Sequence, residues 1–499
     1  MNASADSPAG RLRMAMWLAT PVLTGAVIMS LELVAFRLYA PYFGYSIYVW
    51  GSLISVVMAA LAAGYALGGR FADRCRTDLA LYSTILSGAI YQLIIVYVVR
   101  ALLQWLAGFG DFTGTSLATL IVFAPSMLAL ALVSPFVIRL LARAGRVGAT
   151  AGKVYALSTV GSIGGILATS FFLVPRFGTQ ATLLIDCALS AAVGMAGLTA
   201  RKRVALLALV PVIALPAVPQ ASWPASTIWV SESTYNLIRV ARSGNRRLLI
   251  LNDEQSIHTI RNPLTGWTGH YYDDFALGPL LVRARHALVL GMGAGSSIVT
   301  TRVAAPEIEV DAVEIDPKVV EAGVRFFDLP ADADWLHIHI ADARPWLAHD
   351  RARYDLAQVD LYQGGPYIPF YLATVEFFQL ARAHLNEDGL LMMNVFDASR
   401  SRELLNSIVA TLKRVFPSVM VLSVGSGNQI VFAFAAQQSL AAVCNQLNKV
   451  ARNETLNRLA SEAARWMAET DPPDGTPIFT DDHAPIEEIT RRMLTAVRP

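Results

Sequence analysis

The sequence predicts a polytopic α-helical membrane domain followed by an α/β Rossmann-like domain, with a small β-hairpin subdomain where the two join. Three observations predict it. The 499 residues are 54% hydrophobic and only 16% charged, with a mean hydropathy of +0.46, and that apolarity is concentrated before residue 220. At Ala287–Leu290 an apolar run meets three glycines, Gly291, Gly293 and Gly295, and a second apolar run ends on Glu314, 23 residues after Gly291. From there to about residue 435 short apolar runs alternate with helical stretches, the pattern of a parallel sheet.

In the first half, apolar runs near 14–36, 47–71, 79–99, 115–138, 154–175 and 178–199 each suffice for a membrane-spanning helix of about 20 residues. A seventh, 204–219, is shorter and carries Pro211, Pro216 and Pro219, so six or seven helices are expected over 14–219, after a tail at 1–13. Basic residues gather at every second boundary: Arg11/Arg13, Arg70/Arg74/Arg76, Arg139/Arg143/Arg146/Lys153 and Arg201/Lys202/Arg203. The positive-inside rule makes those loops and the N-terminus cytoplasmic. If 204–219 crosses fully, the second half lies outside the cytoplasm; if it lies in the interface, the second half is cytosolic. Glu32, Arg37, Arg100 and Asp186 fall inside apolar runs, where charge is costly and marks a functional candidate. The plainer account is that Arg37 and Arg100 snorkel at helix ends and Glu32 pairs with an arginine. Gly64, Gly68 and Gly69 read as helix-packing glycines.

Residues 220–275 form the linker and hairpin subdomain. Two β-rich runs, Tyr235–Ala241 and Arg247–Leu251, flank Ser243-Gly244-Asn245. In the Rossmann-like part, 276–499, HIHIADARPWL gives a strand ending at Asp342-Ala343. YDLAQVDLY gives another ending at Asp360, and GLLMMNVF a further one after a helix over Thr374–Leu385. In such sheets ligands bind at the carboxyl ends of the strands, so the glycine loop, Glu314, Asp342 and Asp360 are expected in one crevice. The spaced acid suits the two hydroxyls of a ribose. A dinucleotide fingerprint wants a third glycine where Ser296 stands. GMGAG instead fits the G-x-G-x-G of folds that bind S-adenosylmethionine (SAM), although the acid many methyltransferases carry just before the loop is replaced by Val289-Leu290.

These residues give the chain a specific resemblance. Residues 228–435 resemble the spermidine synthase (polyamine aminopropyltransferase) family in the hairpin, in Tyr271 eight residues before Pro279, and in the glycine loop. Glu314, Asp342-Ala343 and YDLAQVD carry it further. The whole chain is similar to that family's membrane-fused branch through ELVAFRLYAPYFGYSIYVWGS, GYALGGRFADR and TDDHAP (Thr480–Pro485). The resemblance implies that Gly291, Gly293, Gly295, Gln255, Glu314, Asp342 and Ala343 bind the nucleoside of decarboxylated SAM or SAM. It makes Asp360 and Tyr271 the groups that deprotonate and steer an attacking amine. Tyr362, Gln363, Asp481 and Asp482 are expected on the amine side. Two positions depart from the family. Ala294 stands where soluble members hold the aminopropyl ammonium with an acid, and Gln363 where they hold the polyamine with a second Asp. A SAM-dependent methyltransferase or SAM-cleaving enzyme therefore stays open, as does a transporter or sensor whose nucleoside domain only binds.

The partners expected are a small-molecule amine, the lipid bilayer and a second copy of the chain as a homodimer. A net charge of +2 gives no argument for nucleic acid. Cys75, Cys187 and Cys444 are too far apart in sequence for a disulfide framework or a cysteine metal site, and no metal is expected. The location expected is the inner membrane, multi-pass, with the C-terminal domain on the cytoplasmic side where SAM is found.

Overall fold

Glycine and apolar side chains decide the first unit, alternating β-formers and acids the second. The computed structural model describes residues 8–497 other than 45, 76, 143–145, 200–222, 253–255 and 426. The chain divides into two units, Met1–Trp223 and Pro224–Pro499.

In the first unit five helices are long and apolar enough to cross a membrane: Arg11–Phe43, Ile47–Arg74, Asp78–Phe109, Phe112–Leu141 and Val147–Leu198. The first helix begins at Pro8, inside the stretch expected as a tail. The runs expected as fifth and sixth spans form one 52-residue stretch, which would reach about 78 Å if straight. Gly178 breaks it, with φ 82° and ψ 170°. The expected seventh run, 204–219, lies outside the described residues.

Close helix contact here depends on missing side chains. A Cβ on Gly161 would stand 1.9 Å from the Val22 carbonyl oxygen, and one on Gly165 2.3 Å from that of Ala26. Gly64 and Gly68 do the same against Ala131 and Leu132, whereas Gly69 faces open space. Of the polar residues in the apolar runs, Arg100 donates to Gln180 at 3.1 Å. Glu32 keeps one buried oxygen without a hydrogen-bond partner among the described residues.

The second unit opens with four antiparallel strands rather than a lone hairpin: β1 (Thr227–Glu232), β2 (Leu237–Ser243), β3 (Arg246–Leu251) and β4 (Ile257–Arg261), paired in that order. The expected hairpin is β2–β3. The flanking strands were not read because β1 lacks clean alternation and β4 is only five residues long.

The main sheet comprises β5 (His286–Leu290), β6 (Glu309–Glu314), β7 (Leu336–Ile340), β8 (Tyr354–Val359), β9 (Leu385–Phe396), β10 (Ser418–Ser423), β11 (Asn428–Phe434) and β12 (Met467–Glu469). Their order is β12-β10-β11-β9-β8-β5-β6-β7. Neighbours among β5 to β9 pair in parallel, while β10, β11 and β12 add an antiparallel edge. The result is a mixed, Rossmann-type α/β sheet. Leu288 and Leu290 are buried against the helices Ala343–His349 and Val375–Ala383. Ala287 and Val289 are buried on the opposite face. That two-residue alternation, each Leu worth roughly 1.5–3 kcal/mol when buried, pins the register of β5. Strand order reverses between β5 and β8, so a crevice opens where both strands end.

Candidate active site

The glycine loop is shaped by what it must avoid. Gly291, Gly293 and Gly295 have φ of 79°, 52° and 96°, a region costly for side chains. A Cβ on Gly291 would meet the Asp360 carbonyl oxygen at 2.4 Å. The loop after β5 and the end of β8 are therefore in direct contact across the switch point.

The small sheet secures the loop from behind. Thr259 Oγ1 accepts from the Ala294 amide at 2.9 Å, and Ser296 Oγ donates to the Ile260 carbonyl at 2.6 Å. Asp316, fully buried, accepts from Ser233 at 2.6 Å and Asn236 at 2.8 Å and caps the helix Pro317–Phe326. Ala294 is itself buried, packed with Ile238, Val240 and Leu249.

Glu314, at the end of β6, accepts from the Gly293 amide at 3.0 Å and the Asp316 amide at 3.1 Å. Burial nevertheless pushes its pKa up to about 7. Two backbone donors fix the carboxylate beside the glycine loop, where it can accept a pair of hydroxyls.

Asp342 follows the neighbouring strand β7 and caps the helix Ala343–His349 through the Arg344 amide at 3.1 Å. Tyr371 donates to its other oxygen at 2.8 Å, and Ala343 is buried behind it. A hydrogen bond from the Ala341 amide to the Glu314 carbonyl joins the two strand ends.

Asp360 differs from both acids because side chains, not backbone amides, hold its two oxygens. Its two oxygens accept from the Tyr271 hydroxyl and from the Asn394 side-chain amide, each at 3.0 Å. Burial pushes its pKa up to about 6. The Tyr271 hydroxyl is held well above the usual tyrosine range by burial and by the Asp360 charge, so it acts as a donor. Its ring lies 4.0 Å from that of Tyr272. Asn394 Oδ1 is buried and has no partner among the described residues, which leaves an acceptor beside Asp360. Asn394 was not singled out in the sequence, though one amide in the apolar strand GLLMMNVF was the available signal.

The remaining expected positions fall differently. Tyr362 donates to the Asn394 carbonyl at 3.1 Å and accepts from the Phe396 amide at 2.8 Å, extending the contact with β9 beyond the end of β8. Gln363 has an exposed side chain and a backbone amide bonded to the Tyr367 carbonyl. Asp481 is engaged by Arg344 through both oxygens, at 2.7 and 2.6 Å, and by Thr374. It thus serves the Asp342 side of the crevice. Asp482 is exposed, and Gln255 lies outside the described residues. The half-buried His258 imidazole beside the loop is pushed down to about 4 by desolvation.

The chain is similar to known proteins over part of its length. Residues 276–440, about a third of the chain, match the spermine/spermidine synthase domain. A probable polyamine aminopropyl transferase of Bifidobacterium longum is 30% identical over 296 residues, 56% of this chain and 65% of that protein. The human eEF1A lysine and N-terminal methyltransferase is 30% identical over 157 residues, 29% of this chain and 22% of that protein. A crystal structure of a probable spermidine synthase from Corynebacterium glutamicum, 19% identical, covers 52% of this chain and 97% of its own, with a TM-score of 0.40. The chain thus spans just under two thirds of the first relative and about a fifth of the second.

Proposed function

From a chain that is spermidine synthase-like through its residues 276–440, we propose a membrane-bound aminopropyltransferase. It moves an aminopropyl group from decarboxylated SAM, or a related group from SAM, to an amine and releases methylthioadenosine. The observation that carries this reading is Asp360, held at the switch point by Tyr271 and Asn394 and touching the glycine loop.

The amine nitrogen attacks the carbon beside the sulfonium, the carbon–sulfur bond breaks, and the sulfur keeps the electron pair. The nitrogen must shed a proton, and a carboxylate with a pKa of about 6 is suited to accept it near neutral pH. The sulfonium is already activated, so positioning supplies most of the rest. Glu314 takes the ribose hydroxyls and Asp342 the adenine amino group. Asn394 Oδ1 offers the amine a second acceptor.

A methyltransferase is the second reading, favoured by Ala294 in place of an acid and by the likeness to the human methyltransferase. Nucleoside binding measured beside turnover in Asp360→Asn tests the leading reading. Binding should persist while turnover is lost, and a fully active variant would remove Asp360 from the chemistry.

The apolar unit holds the protein in the inner membrane, and the transferase unit faces the cytoplasm. Five apolar helices, the last of 52 residues and divided at Gly178 so that it can cross twice, and the alternating basic clusters support this placement. Cys444 is partly exposed. In sealed right-side-out vesicles an impermeant thiol reagent should leave it unlabelled and should label it once they are opened. Labelling before opening would reverse the orientation.

A further inference from the structure

The interior of the apolar unit holds a polar chain that the transferase reading does not use. Asp186, near the middle of the helix Val174–Thr199, is 3% exposed. Ser30 donates to its carboxylate at 2.7 Å, and Thr169 donates to the Ser30 hydroxyl at 2.7 Å. Both hydroxyl residues are as deeply buried as the acid. We propose that Asp186 is a proton-binding site inside the apolar unit, with Ser30 and Thr169 forming the chain through which the proton enters and leaves.

No cation answers the carboxylate among the described residues. Its helix packs against Asp78–Leu106, Pro8–Phe43 and the turn Thr169–Leu173, and no ion pair joins a charged group on these elements to Asp186 among the described residues. Arg100 bonds to Gln180, Arg13 pairs with Asp78, and Arg176 lies over the Phe172 ring. Glu32 has an oxygen with no partner, and no ion pair joins Arg37 to Asp186. The neighbouring Cys187 thiol donates to the Ala89 carbonyl.

An ionised carboxylate with one neutral donor at this depth is strongly disfavoured by the loss of hydration. A proton removes that charge using only the partners already present. Serine and threonine hydroxyls donate and accept, so the chain can reverse. A proton taken up at the Thr169 oxygen lets Thr169 pass its own to Ser30 and Ser30 its own to Asp186, which leaves Asp186 donating to Ser30 and Ser30 to Thr169; release runs in reverse. Only O–H bonds form and break.

The surrounding helix geometry fits a site that must rearrange. Thr169 opens a five-residue π-helical turn, Thr169–Leu173, a feature that recurs at functional sites. The Gly178 break lies eight residues before Asp186. Ser190, one turn beyond Asp186, has a buried hydroxyl with no partner among the described residues.

The inference is independent of the transferase reading, because the burial is supplied by this unit's own helices. Infrared spectra of the full chain in lipid nanodiscs test it directly. At pH 7 the wild type should show a protonated-carboxyl carbonyl band that Asp186→Asn lacks. Absence of that band from the wild type would overturn the proposal. Ser30→Ala keeps the acid and should shift the band, and an unshifted band would also overturn it. In Thr169→Val the band should remain while its response to D2O slows by about tenfold, the equivalent of one lost hydrogen bond. An unchanged exchange rate would remove the relay.

Discussion

The two units turn carboxylates and glycines inward on opposite terms. In the crevice Glu314 and Asp360 each accept two hydrogen bonds from neutral donors, and the glycines beside them adopt positive φ. In the apolar unit Asp186 has a single hydroxyl donor, and Gly161 and Gly165 are helical, their missing side chains replaced by the backbone of another helix. The difference teaches that a glycine cluster has no meaning by itself. Followed by a spaced acid it makes a ligand loop; facing a helix it makes a packing seam. Glu314 and Asp360 stand at strand ends beside the glycine loop, whereas Asp186 lies among helices with a single hydroxyl donor.

The sharpest way to break this contrast is Asp360→Asn. It keeps the shape but turns one acceptor oxygen into an amide donor and removes the proton acceptor, so kcat should fall by about 10²–10⁴. Retained turnover would make Asp360 as structural as Asp316. Next in size, Gly161→Leu must force apart a contact in which even a Cβ stands 1.9 Å from a carbonyl oxygen. We expect a loss of about 3 kcal/mol in the apolar unit, read as early loss of helical signal on heating, with nucleoside binding unaltered. An unchanged melting profile would remove the packing role.

Glu314→Ala should weaken nucleoside binding by about tenfold or more, as loss of a charged hydrogen-bond acceptor requires. Equal affinity by calorimetry would leave Glu314 as a brace for the Gly293 amide only. The pH response is the smallest effect. Asp360 has a pKa raised to about 6, above the ordinary value of about 3.9. Protonation therefore favours the folded state, and that contribution fades as pH rises from about 4 to about 6. The Asn variant should accordingly melt a few degrees higher than wild type at pH 8 and lose the advantage near pH 4. A constant difference across that range would contradict the burial argument.

Much of the crevice was legible because strand ends impose position. Gly291, Glu314, Asp342 and Asp360 each follow an apolar run short enough to be a buried strand, and parallel sheets gather such ends. What escaped lacked a period. Strand β1 does not alternate, β4 is only five residues long, and Asn394 is one amide in an apolar strand. Pairing sets the antiparallel edge of β10 to β12, and composition does not disclose it. Among the amine-side residues, Asp481 was chosen by charge alone, and its bidentate contact with Arg344 depends on a chain separation of 137 residues that no spacing rule reaches. In the apolar unit the boundary between the runs 154–175 and 178–199 was legible, and Gly178 stands at it.

The measurement that tests the central claim most directly uses the purified full chain in detergent. It is incubated with decarboxylated SAM or SAM, with and without putrescine, and the adenosyl product is identified by mass spectrometry. The account predicts methylthioadenosine that depends on both the decarboxylated donor and the amine, despite Ala294 and Gln363. S-adenosylhomocysteine formed from SAM, with no methylthioadenosine from either donor, would contradict it and make the crevice that of a methyltransferase.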